Sequence, residues 1–306
     1  MILKKYTTHF ITKKTKRWYH LIINIYHTLS KYSLQFSYYC INKYMKPDQF
    51  IKETYRRMSA RSQNNTDTNW EWHSLDNFLN QKNAKITEKQ YEKILPKDKN
   101  AKILDIGFGN GWFMAACIRM GYTNIYGADF FGKEKTQKVV DACTSIKEVF
   151  NIKKNIGDFL LEINQKFDYI HMSHVIEHIP KYSLFYHADA IYKSLEKEGV
   201  LLLRTPNMES PAAMSSLFVT LTHEYGFSDS NLHSLLHLTG FDEIYFHNLK
   251  ATTIKQLIGK YIRQPFLFYI KIKNRLFGVN HFGQYDSELI VTARKKGHPG
   301  FLSKKK

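Results

Sequence analysis

Cysteine is scarce. The 306-residue chain has three, Cys40, Cys117 and Cys143, odd in number and widely spaced. They make neither a disulfide framework nor a Cys pair of metal-binding spacing, which argues for a reducing, cytoplasmic setting. A charged n-region, apolar core and small-residue cleavage site are missing from the start, so no secretory signal is expected. Acid is scarce too: 45 Lys and Arg stand against 27 Asp and Glu, a net charge of +18. Nothing before Asp48 is acidic, and no acid occurs from Lys250 to Tyr285, a stretch holding Lys255, Lys260, Arg263, Lys271, Lys273 and Arg275. The excess charge lies in appendages around a more balanced middle. It suits an anionic partner: nucleic acid, an anionic membrane surface or a phosphorylated substrate. Internal repeats are absent, and so is any recognisable RNA-binding module.

What is present is enough apolar material, 43% of residues with 15% aromatic, for one sizeable core with additions. Near the start, Trp18, Ile22, Ile25, Leu29, Tyr32 and Phe36 recur at helical spacing. Lys31, Ser33 and Gln35 break any long apolar run, so a membrane span is not expected there. That face either packs on the rest of the chain or lies on anionic lipid. A polar loop, residues 62–69, precedes Trp70 and Trp72, which serve as core or as a pocket wall.

From Lys102 the pattern becomes alternating strands and helices. Strands are expected at Lys102–Ile106, Asn124–Phe130, Ile152–Ile156, Phe167–Ser173, Val200–Arg204, Phe241–His247 and Glu288–Ala293. Helices are expected at Gly111–Met120, about Lys133–Val149, Tyr182–Leu195 and Asn231–Leu238. The alternation predicts an α/β fold, a parallel sheet with helices on both faces. The expected organisation is a basic helical N-terminal extension over 1–84, a main domain over 85–296 with a basic insertion at 250–285, and a basic tail over 297–306.

In such a sheet, ligands bind outside the carboxyl ends of the strands. The first strand ends in Asp105-Ile106-Gly107-Phe108-Gly109-Asn110-Gly111. Its glycines let a ligand approach the backbone and accommodate positive φ. The run is G-x-G-x-G, not G-x-G-x-x-G, and an Asp opens it. That favours a ligand with an ammonium group over one with a pyrophosphate. Asp129 ends the second strand and can accept from both hydroxyls of a ribose, or cap a helix. Asp158 can accept from an adenine amino group, or cap a helix, while Phe130 or Phe159 packs on the ring.

These residues, with the FDYIHMSHVIEHIP and LEKEGVLLLRTPN segments, resemble the class I methyltransferases, a Rossmann-like superfamily, over about Ile86 to Lys296. The resemblance implies a doubly wound, seven-stranded, mostly parallel sheet whose last strand is antiparallel. It implies S-adenosylmethionine as cofactor, met by Asp105, Gly107, Gly109, Asn110, Gly111, Asp129, Phe130, Asp158, Phe159 and Ser173. The stretch from His223 through Phe227-Ser228 and Leu235 to Gly240-Phe241 is similar to a subgroup common in bacterial polysaccharide and O-antigen biosynthesis. That similarity implies O-methylation of a sugar hydroxyl, on a surface polysaccharide or its nucleotide- or lipid-linked precursor. A site peripheral to the inner face of the cell membrane follows.

Methyl transfer from a sulfonium needs alignment, and a base when the acceptor is a weakly acidic hydroxyl. The candidates are His174, Glu177 and His178 after the fourth strand and His223 after the fifth. An imidazole titrates near neutrality and can take the proton. The same four residues make an N/O set suited to a divalent metal. They are similar to the E-x-x-E-H…H metal motif of small-RNA 2′-O-methyltransferases, with His174 in place of the first Glu. Base, metal ligands of unknown ion, or structural hydrogen bonding all stay open. So do two other acceptors on the same core: an RNA 2′-hydroxyl, with nucleic acid the less favoured partner, and a quinone-like small molecule.

Overall fold

The computed structural model describes residues 72–130, 133–248, 254–278 and 286–297. The Trp18–Phe36 face, Trp70 and the basic tail beyond 297 lie outside the described residues. Helices α1 (Leu75–Asn80) and α2 (Lys82–Tyr91) precede β1 (Lys102–Ile106). Then follow α3 (Trp112–Arg119), β2 (Asn124–Asp129), α4 (Lys133–Ala142), β3 (Ile146–Asn151), α5 (Ile156–Ile163) and β4 (Phe167–Ser173). Two short 3₁₀ turns, Ile176–His178 and Lys181–Ser183, lead into α6 (Leu184–Ser194) and β5 (Leu195–Pro206). The chain continues through α7 (Ala213–Leu217), α8 (Asp229–Thr239), β6 (Asp242–Phe246), α9 (Ile254–Leu276) and β7 (Glu288–Arg294).

The strands form one sheet in the order β3-β2-β1-β4-β5-β7-β6. β7 runs antiparallel to both neighbours and the other six strands are parallel to one another. The carboxyl ends of β1, β2, β4, β5 and β6 therefore share one edge with the amino end of β7, where Pro206 pairs with Glu288.

Strand periodicity builds two cores, because successive side chains point to opposite faces. Leu104, Ile106, Ile170, Met172, Leu201 and Leu203 bury against α5, α6 and α8 on one face. Ile103, Ile125, Tyr169 and Leu202 meet Phe78, Tyr91, Phe113 and Met114 on the other. Each such apolar side chain contributes about 1.5–3 kcal/mol by leaving water. Asp105 alternates with Leu104 and Ile106, so its carboxylate points into the second core.

Two expectations need correction. The third strand is Ile146–Asn151, not Ile152–Ile156. The fourth helix accordingly stops at Ala142, well short of Val149. Asn155 explains the shift: its side chain accepts from the Asp158 N–H and caps α5, so Ile156 starts a helix. The fifth strand is also longer than Val200–Arg204 and starts directly from α6 at Leu195. The chain turns there at Glu198, φ 65°.

Candidate active site

The donor loop is folded by its own backbone. Gly107, Gly109 and Gly111 have φ of 72°, 49° and 72°, a region that L side chains enter only at a cost. The Gly107 N–H donates to the Ala128 carbonyl at 2.7 Å, and the Gly109 N–H to Asp129 Oδ2 at 3.0 Å. The loop is clamped from both sides. A methyl group on Gly107 would come within 2.4 Å of Val175 Cγ2, and one on Gly111 within 2.3 Å of Trp72 Cζ2. The Trp72 indole N–H donates to the Asn110 carbonyl at 3.2 Å. At Gly109 a methyl group would meet nothing within 4 Å. The open side of the loop is therefore at Gly109, beside Asp129. This fits an adenosylmethionine ligand, since a carboxylate beside the open side of the loop can accept hydrogen bonds from ribose hydroxyls.

Other residues take different positions. Asp105 is 2% exposed and 2.7 Å from His171 Nδ1 on β4. Burial raises its carboxyl above the usual range, against the charge of His171. Phe113 stacks on the His171 ring at 3.7 Å. Asp105 thus anchors the strand beneath the loop. Asp158 sits in the first turn of α5, with Asn155 Nδ2 donating to it at 2.9 Å and the Tyr186 hydroxyl also donating. Phe159 is buried against Phe150, and Phe130 is half-buried on the same core. Ser173 ends β4 half-buried. Of the two Trp readings, Trp72 takes the core one, at 2% exposed.

The residues after β4 and β5 come together at the same edge. The Glu177 carbonyl accepts from the Glu224 and Tyr225 N–H groups, at 2.8 and 3.3 Å, which brings His223 over the 3₁₀ turn. The His178 and His223 rings lie 4.8 Å apart. One ligand atom from each of Glu177, His178 and His223 lies within 4.8 Å of the others. The Glu177 carboxylate is 1% exposed and accepts from Thr205 Oγ1 at 3.1 Å and from His174 Nδ1 at 3.2 Å. His174 turns away from His178. It holds φ 55°, and its Nε2 reaches Glu288 at 2.7 Å.

Protonation separates the imidazoles. Burial disfavours the charged form of His174, but hydrogen bonds to Glu177 and Glu288 outweigh it and raise the ring to about 9. His174 is a cation at neutral pH and poorly placed to accept a proton. Burial lowers His178, against the charge of Glu177, and keeps it neutral. Its Nδ1 must carry the proton, because it faces the Thr222 carbonyl at 2.9 Å. Nε2 is then the basic nitrogen.

Two acids went unnoticed in the sequence. Glu288, at the start of β7, joins His174 to Arg204 Nη2 at 2.6 Å. Burial would raise its carboxyl, but His174 and Arg204 bring it to about 2. Glu209, two residues after Asn207, is raised to about 7 by burial and by Asp229 beside it. Neither has a motif around it; only the antiparallel pairing of β7 and the turn at Asn207 bring them to this edge. Asn207 makes that turn: it accepts the Glu209 N–H at 2.9 Å and donates to the Asp286 carbonyl at 2.9 Å.

Residues 75–245 match a family model described as a methyltransferase domain. No curated protein gives a significant match. Among solved structures, an S-adenosylmethionine-dependent methyltransferase from Archaeoglobus fulgidus is 17% identical, with a TM-score of 0.48 over 69% of this chain and 94% of that one. One from Mesorhizobium loti is 15% identical, with a TM-score of 0.45 over 67% and 95%. Phosphoethanolamine N-methyltransferase 2 from Haemonchus contortus, in complex with S-adenosylmethionine, is 16% identical, with a TM-score of 0.43. That alignment covers 68% of this chain and 52% of the other. The family match covers more than half of the chain, which belongs to the methyltransferase-domain family and is an S-adenosylmethionine-dependent methyltransferase of Rossmann-like fold.

Proposed function

We propose that the acceptor is a sugar hydroxyl, on a surface polysaccharide or its nucleotide- or lipid-linked precursor, and that His178 takes its proton. The observation that carries this is a neutral, tautomer-fixed His178 beside a buried carboxylate, on a loop whose Val175 packs on Gly107 of the donor loop. Bound S-adenosylmethionine supplies an electrophilic methyl carbon on a sulfonium. As the acceptor oxygen bonds to that carbon and the carbon–sulfur bond breaks, the hydroxyl proton passes to His178 Nε2. The Glu177 carboxylate stabilises the imidazolium so formed, and the proton then leaves to solvent. A positioned base of this kind contributes about 10²–10⁴-fold. The sugar identity is supported by the sequence similarity to polysaccharide enzymes and by the basic segments, which suit a phosphorylated acceptor. The reaction would run in the cytoplasm, against the inner face of the membrane.

A second reading has one specific observation behind it, the Glu177–His178–His223 group. A tetrahedral metal about 2.1 Å from each ligand would hold the ligand atoms about 3.4 Å apart, so the three residues would have to draw together to bind one. It would then lower the pKa of a bound hydroxyl. The Thr222 carbonyl on His178 and Thr205 on Glu177 are the outer partners such ligands have.

The test is methyl turnover on cell-derived nucleotide sugars and lipid-linked glycans, with and without chelator. Incorporation into sugar supports the first reading, and its loss with chelator moves the mechanism to the metal. Incorporation only into short RNA, with steep salt dependence, would overturn the sugar assignment.

A further inference from the structure

α9 is the whole link between the carboxyl end of β6 and the amino end of β7 that the structure describes. Both ends lie at the edge that carries the donor loop and His178, so the helix belongs to that edge by topology. Arg263 at mid-helix pairs with Asp286 at 3.6 Å, and the Asp286 carbonyl accepts from Asn207 at the end of β5.

The helix is 23 residues long, about 35 Å, with six Lys and Arg and no acid. Ile254, Ile258, Tyr261, Tyr269, Ile272 and Leu276 recur at steps of four, three, eight, three and four residues, which keeps them on one side of the helix, and all are exposed, from 45% at Ile272 to 79% at Leu276. Leu267, Ile270 and Asn274 are half-buried on the opposite side of the helix. The helix is exposed around most of its circumference, and its broad apolar stripe faces out instead of into a core. A second apolar patch stands at the same edge. Met214, Phe218, Val219 and Leu221, between β5 and His223, are 68–85% exposed.

We infer that this edge docks on an anionic bilayer, so that the acceptor site opens toward the lipid. The charge of α9 selects that occupant. Cations flanking an outward apolar stripe match a negatively charged interface. A second copy of the same acid-free helix would set Lys and Arg against Lys and Arg, which repel. Among the described residues no helix is long and apolar enough to cross a membrane, so the contact lies in the interface. The inference rests on the acceptor reading above and narrows it to the lipid-linked precursor, whose phosphate and anchor stay at the bilayer while the sugar reaches His178.

The full chain is mixed with phosphatidylcholine vesicles, with or without phosphatidylglycerol, and floated on a gradient. The protein is expected to float with the anionic vesicles at low salt and to be released at high salt. Lys273→Gln with Arg275→Gln is expected to lower partitioning about thirtyfold, at about fivefold per cation. Ile258→Asp with Ile272→Asp is expected to abolish flotation. Both pairs are exposed, so adenosylmethionine binding by calorimetry stays at the wild-type level and shows that the variants fold. Failure of the wild type to float at low salt, or flotation of the Asp variant like the wild type, overturns the inference. So does salt-independent self-association in sedimentation that the Asp variant removes, since the stripe then joins two copies. Turnover on a water-soluble nucleotide sugar tests the methyl-transfer reading separately and can succeed where flotation fails.

Discussion

Replacing Glu288 by Gln removes one of the two carboxylates that hold His174 as a cation. In the wild type the ring is raised from 6.5 to about 9, so across that window the folded chain binds a proton that the unfolded chain has lost. The stabilisation is fully present below 6.5 and is lost as pH rises through about 9. At full strength such a displacement is worth about 3 kcal/mol. His174 is 44% exposed, however, and solvent screening reduces the expected loss to about 1 kcal/mol. Glu288, at about 2, reports the same contacts from the other side. Its own contribution is present above 4.5 and lost as pH falls through about 2, and it is not added to the first. In Glu288→Gln the alkaline loss should fall by about half, because only Glu177 remains opposite the ring. The assay is urea unfolding of both proteins at about pH 6 and about pH 9.5, with the imidazole followed by NMR. The reasoning is refuted if wild-type stability is flat across the window. A constant, pH-independent offset between the two proteins would refute it as well.

Other substitutions test the remaining geometry. Gly111→Ala forces a side chain at φ 72° into Trp72 and Phe78, and should cost about 2–4 kcal/mol in thermal unfolding while weakening adenosylmethionine binding in calorimetry. His171→Leu strands the buried Asp105 carboxylate and should cost about 3–5 kcal/mol in urea, whereas Asp105→Asn keeps a hydrogen bond and should cost about 1 kcal/mol. Equal losses would show that the pair is not what holds the strand. His178→Ala should lower methyl transfer about 10²–10⁴-fold with donor affinity unchanged, and should remove the acid limb of the pH–rate profile. An unchanged rate would take the proton away from His178.

Much was legible along the chain because it depends on local pattern. Short apolar runs marked β1, β2 and β4, the first two closed by Gly or Asp, and the three loop glycines announced positive φ before any coordinate. The sequence alone also put the excess cations in an acid-free stretch and the histidines just past strand ends. It misjudged β3 at Ile152–Ile156, where only the two isoleucines are apolar and Asn155 caps a helix through its side chain. Pairings between distant residues had no local trace. His171 on β4 meets Asp105 through register, Glu288 reaches His174 because β7 runs backwards beside β5, and Trp72 closes on Gly111 from a separate segment. Those contacts decided which imidazole is charged and which is neutral. Tertiary structure alone also decided that the apolar stripe of α9 faces outward, since amphipathic spacing states that a helix has a face but not which way it turns.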